Sequence, residues 1–125
     1  SSIVAPNLDT GREVWHFNTV HHDIWDYDVP SQPALAEIPD GAGGTIPAVI
    51  QTTKRGQIFV LDRRSGEPVR TVVERPVSAG DRTATGERYS TTQPYATGGP
   101  KCCAGSLSAS TATKASSQRN PFTRP

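Results

Sequence analysis

The chain has 125 residues, 34% of them apolar, with 11 glycines and 11 prolines; the apolar share is low for a chain that buries its own core, and Gly and Pro well above the usual about 7% and 5% exclude long helices. The formal charge of +1 divides unevenly, into nine basic and twelve acidic groups over residues 1–95 and four basic and no acidic groups over residues 96–125. This mildly acidic body excludes a nucleic-acid surface, which needs clustered Lys and Arg, and no apolar run approaches the roughly 20 residues of a membrane-spanning helix.

The start, Ser1-Ser2-Ile3-Val4-Ala5, has neither Met nor a basic region before an apolar stretch. It reads as a cut through the middle of a longer protein. Val14 to Val20 alternates large apolar and polar side chains around Trp15 and Phe17, which predicts a strand with one buried face. A dense polar loop follows at once: between Val20 and Pro30 lie two histidines, three aspartates, a Trp and a Tyr. Ile46 to Thr53 is a β-branched run, Lys54-Arg55-Gly56-Gln57 a turn, and Ile58 to Leu61 a second apolar run, so these segments predict a β-hairpin. Asp62-Arg63-Arg64-Ser65-Gly66 forms another turn, and Val69 to Val73 a further strand, giving an antiparallel meander.

An internal repeat links two of these turns. Ile3 to Gly11 recurs loosely as Ile58 to Gly66 at an offset of 55 residues, aligning Asn7 with Asp62, Thr10 with Ser65 and Gly11 with Gly66. Each copy is an apolar strand entering a turn that pairs a side-chain acceptor with a Gly free to take positive φ. A period near 50 residues suggests propeller blades. From about Ala96 the composition changes, with seven Ser or Thr among the twelve residues from Ser106 to Ser117. Such a stretch has too little apolar surface to offset the entropy of ordering, so residues 96–125 are expected to be disordered. Cys102 and Cys103 are adjacent and form no Cys-x-x-Cys pair.

Three readings of the polar loop compete on the residues alone. In one, the acids cap turns and the aromatic rings pack on the sheet. In the second the loop binds metal, but His21, His22 and Asp23 are sequence neighbours that cannot converge on one ion without an irregular backbone. The third makes one aspartate a catalytic base, its pKa raised by desolvation beside Trp25 and Tyr27.

Trp25-Asp26-Tyr27 after His22-Asp23 resembles the active-site loop of the pyrroloquinoline-quinone (PQQ) dependent alcohol and sugar dehydrogenases. The fuller string Val20 to Pro30, preceded by Trp15-His16-Phe17, looks closest to the membrane-bound quinoprotein glucose dehydrogenases. Gln57 to Gly66 and Thr92-Gln93-Pro94-Tyr95 extend the likeness over residues 1–95. The resemblance implies an all-β fold, with this chain as about two blades of an eight-bladed propeller of four-stranded antiparallel sheets. It also implies that the Gly turns and Trp15 belong to a blade-docking motif.

By the same resemblance Asp26 is the general base that takes a proton from the sugar's anomeric hydroxyl, and Lys54 faces the quinone carbonyl that receives hydride. Trp25 is implied in cofactor binding, and His21 and His22 in substrate binding, although a structural hydrogen bond is the commoner use of such histidines. Asp23 and Asp28 are expected to satisfy backbone N–H groups, and Arg63 and Arg64 to lie on the surface beside Asp62. The implied cofactor is PQQ, with a divalent metal, Ca or Mg, held mainly by residues outside this chain and none of its ligands here.

The implied partners are a sugar and, through other parts of the protein, ubiquinone, at the periplasmic face of a bacterial inner membrane. The chain alone is expected to be inactive and poorly folded, because two blades leave edges unpaired. Two alternatives stand beside this reading: another PQQ-dependent dehydrogenase acting on alcohols, quinate or shikimate, and a non-catalytic propeller scaffold. Residues 96–125 depart from the resemblance and are read as a shifted frame or an error in a partial sequence.

Overall fold

The computed structural model describes residues 1–78 and 86–98. Among them are seven strands and no helix: β1 (Ser2–Pro6), β2 (Glu13–Asn18), β3 (Ala34–Pro39), β4 (Thr45–Thr52), β5 (Ile58–Asp62), β6 (Val72–Pro76) and β7 (Thr92–Ala96). They form three antiparallel sheets, β1-β2, β3-β4-β5 and β6-β7. The Ser/Thr-rich tail expected to be disordered lies outside the described residues.

The predicted hairpin is β4 and β5, paired from Ala48–Asp62 to Thr52–Ile58. Gly56 takes a φ of 71° in its turn, a conformation that favours glycine. The strand expected over Val69 to Val73 is instead divided between two sheets. Pro68 makes a single isolated bridge to Leu61, and Val69 donates its N–H to the Val60 carbonyl, so the chain touches β5 there without forming a strand. The chain then bends, and Val72 to Pro76 leaves to pair with residues 92–96.

Strand β3 carries no sequence signal of its own. Ala34 to Pro39 is short of β-branched residues and ends in proline, which suits only a sheet edge; it is indeed the outer strand of its sheet.

The repeat of 55 residues is structural. Asn7 and Asp62 each donate a backbone N–H to the residue five positions on, Arg12 and Glu67, at 2.8 Å. Gly11 and Gly66 each return an N–H to the carbonyl of Asn7 or Asp62, again at 2.8 Å. The side-chain oxygens of Asn7 and Asp62 accept from the N–H two residues on, and Thr10 and Ser65 accept equivalently from Arg12 and Glu67. Both glycines have positive φ, 68° and 76°.

The core joins all three sheets. Trp15, Val49, Phe59 and Leu61 are buried together, with Ile3, Ala5 and Phe17, and Val72 and Ala96 of the third sheet, packed against them. Phe17 and Phe59 meet at 5.1 Å between ring centroids in a tilted arrangement, a favourable aromatic geometry. Trp15 crosses from β2 to the second turn, where its indole N–H donates to the Arg63 carbonyl at 3.0 Å and its ring lies against Gly66.

Candidate active site

The polar loop is fixed at both ends by buried glutamines. The Gln93 side chain, 2% exposed, accepts from the His21 N–H at 2.8 Å and donates to the His21 carbonyl at 2.7 Å. At the far end Gln51 donates to the Ser31 carbonyl at 3.0 Å. No buried side-chain nitrogen or oxygen lacks a partner among the described residues, as a polar loop laid on a core requires.

Between these anchors Asp23 organises the backbone. Its carboxylate accepts from the N–H groups of Trp25 and Tyr27 at 3.0 and 2.9 Å and from the Ser1 hydroxyl at 3.0 Å. Partial burial acts to raise its pKa, but these hydrogen bonds outweigh burial and hold the pKa below the ordinary value. The turn-capping role expected of Asp23 is therefore present. Asp28 behaves differently: its carbonyl accepts from the Lys54 N–H at 3.2 Å, and its carboxylate meets the Lys54 ammonium.

His22 and Asp26 are the non-glycine residues with positive φ among the described residues, at 42° and 61°. Left-handed backbone at such residues costs on the order of 1–3 kcal/mol each and concentrates at functional sites. The rings of Trp25 and Tyr27, on either side of Asp26, stack at 5.9 Å with 27° between their planes.

The β4–β5 turn reaches into this loop from the neighbouring sheet. Lys54 Nζ lies 2.9 Å from Asp26 Oδ2 and 3.3 Å from Asp28 Oδ2, so it joins two carboxylates separated from it by 28 and 26 residues. Hydrogen bonds from Lys54 to Asp26, then to Asp28, raise the lysine pKa, so the group stays an ammonium across the neutral range. Asp26 is 79% exposed; the desolvation expected from Trp25 and Tyr27 is not supplied by these residues, because the carboxylate turns outward to Lys54.

The next residue, Arg55, faces the aromatic side. Its guanidinium lies 4.6 Å from the Tyr95 ring centroid and 5.7 Å from that of Tyr27, within cation–π range. It also donates to the carbonyls of Pro94 and Thr19. Trp25, Tyr27, Arg55, Gln93 and Tyr95 thereby border a shallow cleft of about 160 Å³.

The other sequence candidates are placed as follows. His21 directs Nε2 to Glu74 on β6 at 2.9 Å, whereas His22 is exposed. Arg64 chelates Asp62 on the surface, whose carboxyl is pulled down to about 2 by that guanidinium. Arg63 instead crosses to Glu37 on β3 at 3.1 Å. Among the described residues no three His, Cys, Asp or Glu side chains gather as a metal-binding set.

The profile of the PQQ glucose/ethanol/alcohol dehydrogenase β-propeller domain matches residues 1–123. The chain belongs to this family. Its internal repeat, Gly turns and docked Trp15 are thus parts of neighbouring propeller blades. The quinoprotein glucose dehydrogenase A of Acinetobacter calcoaceticus is 56% identical over 77 residues, 62% of this chain and 10% of the relative. The quinate/shikimate dehydrogenase (quinone) of Acinetobacter baylyi is 47% identical over 81 residues, 65% of this chain and 10% of the relative. A glycerol dehydrogenase large subunit from Gluconobacter thailandicus is 53% identical over 76 residues, 61% of this chain and 10% of the relative. The chain therefore spans about a tenth of the length of these relatives. No solved structure matches.

Proposed function

We propose that this chain supplies the base and the ammonium of a PQQ-dependent sugar dehydrogenase that oxidises an aldose, glucose first among candidates, to its lactone. The observation that carries the reading is the contact of Lys54 Nζ with Asp26 Oδ2 at 2.9 Å, made between two residues on different elements of a PQQ-dehydrogenase propeller domain.

The residues present fit the cofactor, a planar and anionic quinone. Lys54, an ammonium that is still 47% exposed, would be the residue to meet an oxygen of the quinone. Trp25 offers an aromatic face held by its stack on Tyr27. When bound, PQQ supplies a two-electron acceptor for hydride. Asp26 takes the proton of the substrate hydroxyl, as a carboxylate within hydrogen-bond reach does. Lys54 keeps that carboxylate oriented and holds positive charge where negative charge develops, a contribution often worth about 3–4 kcal/mol. His22, exposed beside the loop, is the histidine open to a sugar; the ring of His21 is held by Glu74.

Ubiquinone as the final acceptor, a periplasmic location and a Ca or Mg ion beside the quinone complete the proposal, each through parts of the protein beyond this chain. Relatives named for glucose, quinate/shikimate and glycerol dehydrogenases match at 56%, 47% and 53% identity, so substrate profiling of the intact enzyme decides the sugar. The test of the site is Asp26→Asn in that enzyme. Turnover is expected to disappear while PQQ stays bound; unchanged turnover rejects Asp26 as the base.

A further inference from the structure

We infer that Gln93 is a positioning residue for this reaction: by pairing with both main-chain groups of His21 it sets where the loop bearing Asp26 begins. The inference rests on the assignment of Asp26 as base. It concerns a residue 72 positions from His21.

The geometry is that of one rung of a sheet, made by a side chain. Gln93 Oε1 accepts from His21 N at 2.8 Å, and Nε2 donates to His21 O at 2.7 Å. A carboxamide is the neutral side chain that offers an acceptor and a donor side by side. Its burial at 2% exposed makes the match strict, because either group left unpaired carries a desolvation penalty. The pairing acts immediately before His22, the first residue of the loop with left-handed backbone.

The same segment holds the loop and the turn elsewhere. The Pro94 carbonyl accepts from Arg55, and the Ala96 N–H donates to the Gln57 side chain at 2.8 Å. Strand β7 therefore grips the Asp26 loop through His21 and the Lys54 turn through Arg55 and Gln57. The two reacting groups are aligned from one strand.

The test compares Gln93→Leu, Gln93→Glu and Asp26→Asn in the intact PQQ-loaded enzyme. Gln93→Leu is expected to lower kcat about 100-fold, the usual effect of a displacement of roughly 1 Å, with little change in KM or in the absorbance of bound PQQ. In Gln93→Glu the ionised carboxylate cannot donate to the His21 carbonyl, but the protonated acid can. Its kcat relative to wild type is therefore expected to climb at least about tenfold as pH falls from about 8 to about 5, toward the carboxyl range. Arg75 opposite on β6, Arg55 in the cleft, Glu74 and the His21 imidazole are present in both proteins, so the pH dependence of the wild type divides out of the ratio and what is left is owed to the new carboxyl group.

Wild-type kcat in Gln93→Leu overturns the inference. So does a loss in Gln93→Glu that ignores pH, or a loss of bound PQQ in both variants without recovery, either of which marks a general folding role. Persistent turnover in Asp26→Asn removes the base assignment itself. An inactive Asp26→Asn with a pH-independent Gln93→Glu removes only the clamp.

Discussion

Trp15 and Gly66 form a contact in which neither can be replaced independently. A Cβ placed on Gly66 would lie 2.7 Å from two atoms of the Trp15 ring, at a residue whose φ is already 76°. The ring is also tied to this turn by its N–H on the Arg63 carbonyl. One side chain thus joins the sheet of β1 and β2 to the sheet of β3, β4 and β5.

Gly66→Ala is expected to destabilise the intact enzyme by more than the roughly 1–2 kcal/mol of left-handed backbone alone, because the steric overlap adds to it. Trp15→Ala should cost about 3–5 kcal/mol through lost packing. The double variant should cost less than the sum of the two, since removing the ring removes the overlap. Thermal unfolding of the four proteins of this cycle measures the coupling, and strict additivity would show that the contact carries no energy.

Lys54→Met is expected to reduce kcat by about 100- to 1,000-fold, the scale for losing one group that stabilises developing negative charge. Lys54→Arg should retain more activity than Lys54→Met, because it keeps the charge, but less than wild type, because a planar guanidinium replaces a compact ammonium between two carboxylates. Steady-state kinetics with the preferred sugar read both, and equal rates in the two variants would argue that charge is irrelevant at this position.

Loop integrity should depend on pH through Asp23. Its folded-state pKa lies below the ordinary 3.8, so the folded loop binds the proton less well than the unfolded chain. The stabilisation is fully present above that ordinary value and is lost as pH falls through the lower folded value. Hydrogen exchange at the Trp25 and Tyr27 amides should accelerate, after correction for intrinsic rates, as pH drops below about 4. In Asp23→Asn the corrected exchange should be faster at neutral pH and lose this acid dependence.

Much of the fold was legible because its signals are local. The repeated turn pairs an Asn or Asp acceptor with a Gly four residues later, and both expectations hold within a span of five residues, the acceptor taking the N–H two residues on and the Gly a positive φ. The β4–β5 hairpin was equally clear from a β-branched run and an apolar run on either side of the Gly56 turn. Strand β3 was silent because an edge strand requires little β propensity. The division of Val69 to Val73 was hidden because the competing partner, residues 92–96, is distant in sequence.

The same division of local from distant holds at the site. Asp26 and Lys54 are singled out by the resemblance of their segments, and the capping by Asp23 by the preference of Asp for turns. The outward turn of Asp26 depends on its φ of 61°, which composition does not encode. Gln93, Gln51 and Arg55 were missed as site-building residues because their partners are main-chain groups and ring faces, which leave no pattern in a side-chain sequence.

The two ends of β4 differ in their tolerance of length change. At the Asp40–Gly44 end an exposed, glycine-rich turn closes on Asp40 alone, so an added residue has room to loop into solvent. At the other end Lys54 and Arg55 are consecutive yet serve opposite sides of the Asp26 loop, the first its carboxylates and the second its rings. One residue inserted before Lys54 would carry the ammonium to the aromatic side and leave the carboxylates without it, and one residue deleted there would bring the guanidinium to the carboxylates and leave the rings without it. Natural and laboratory variation in loop length should therefore accumulate at residues 40–44 and be excluded from residues 53–57.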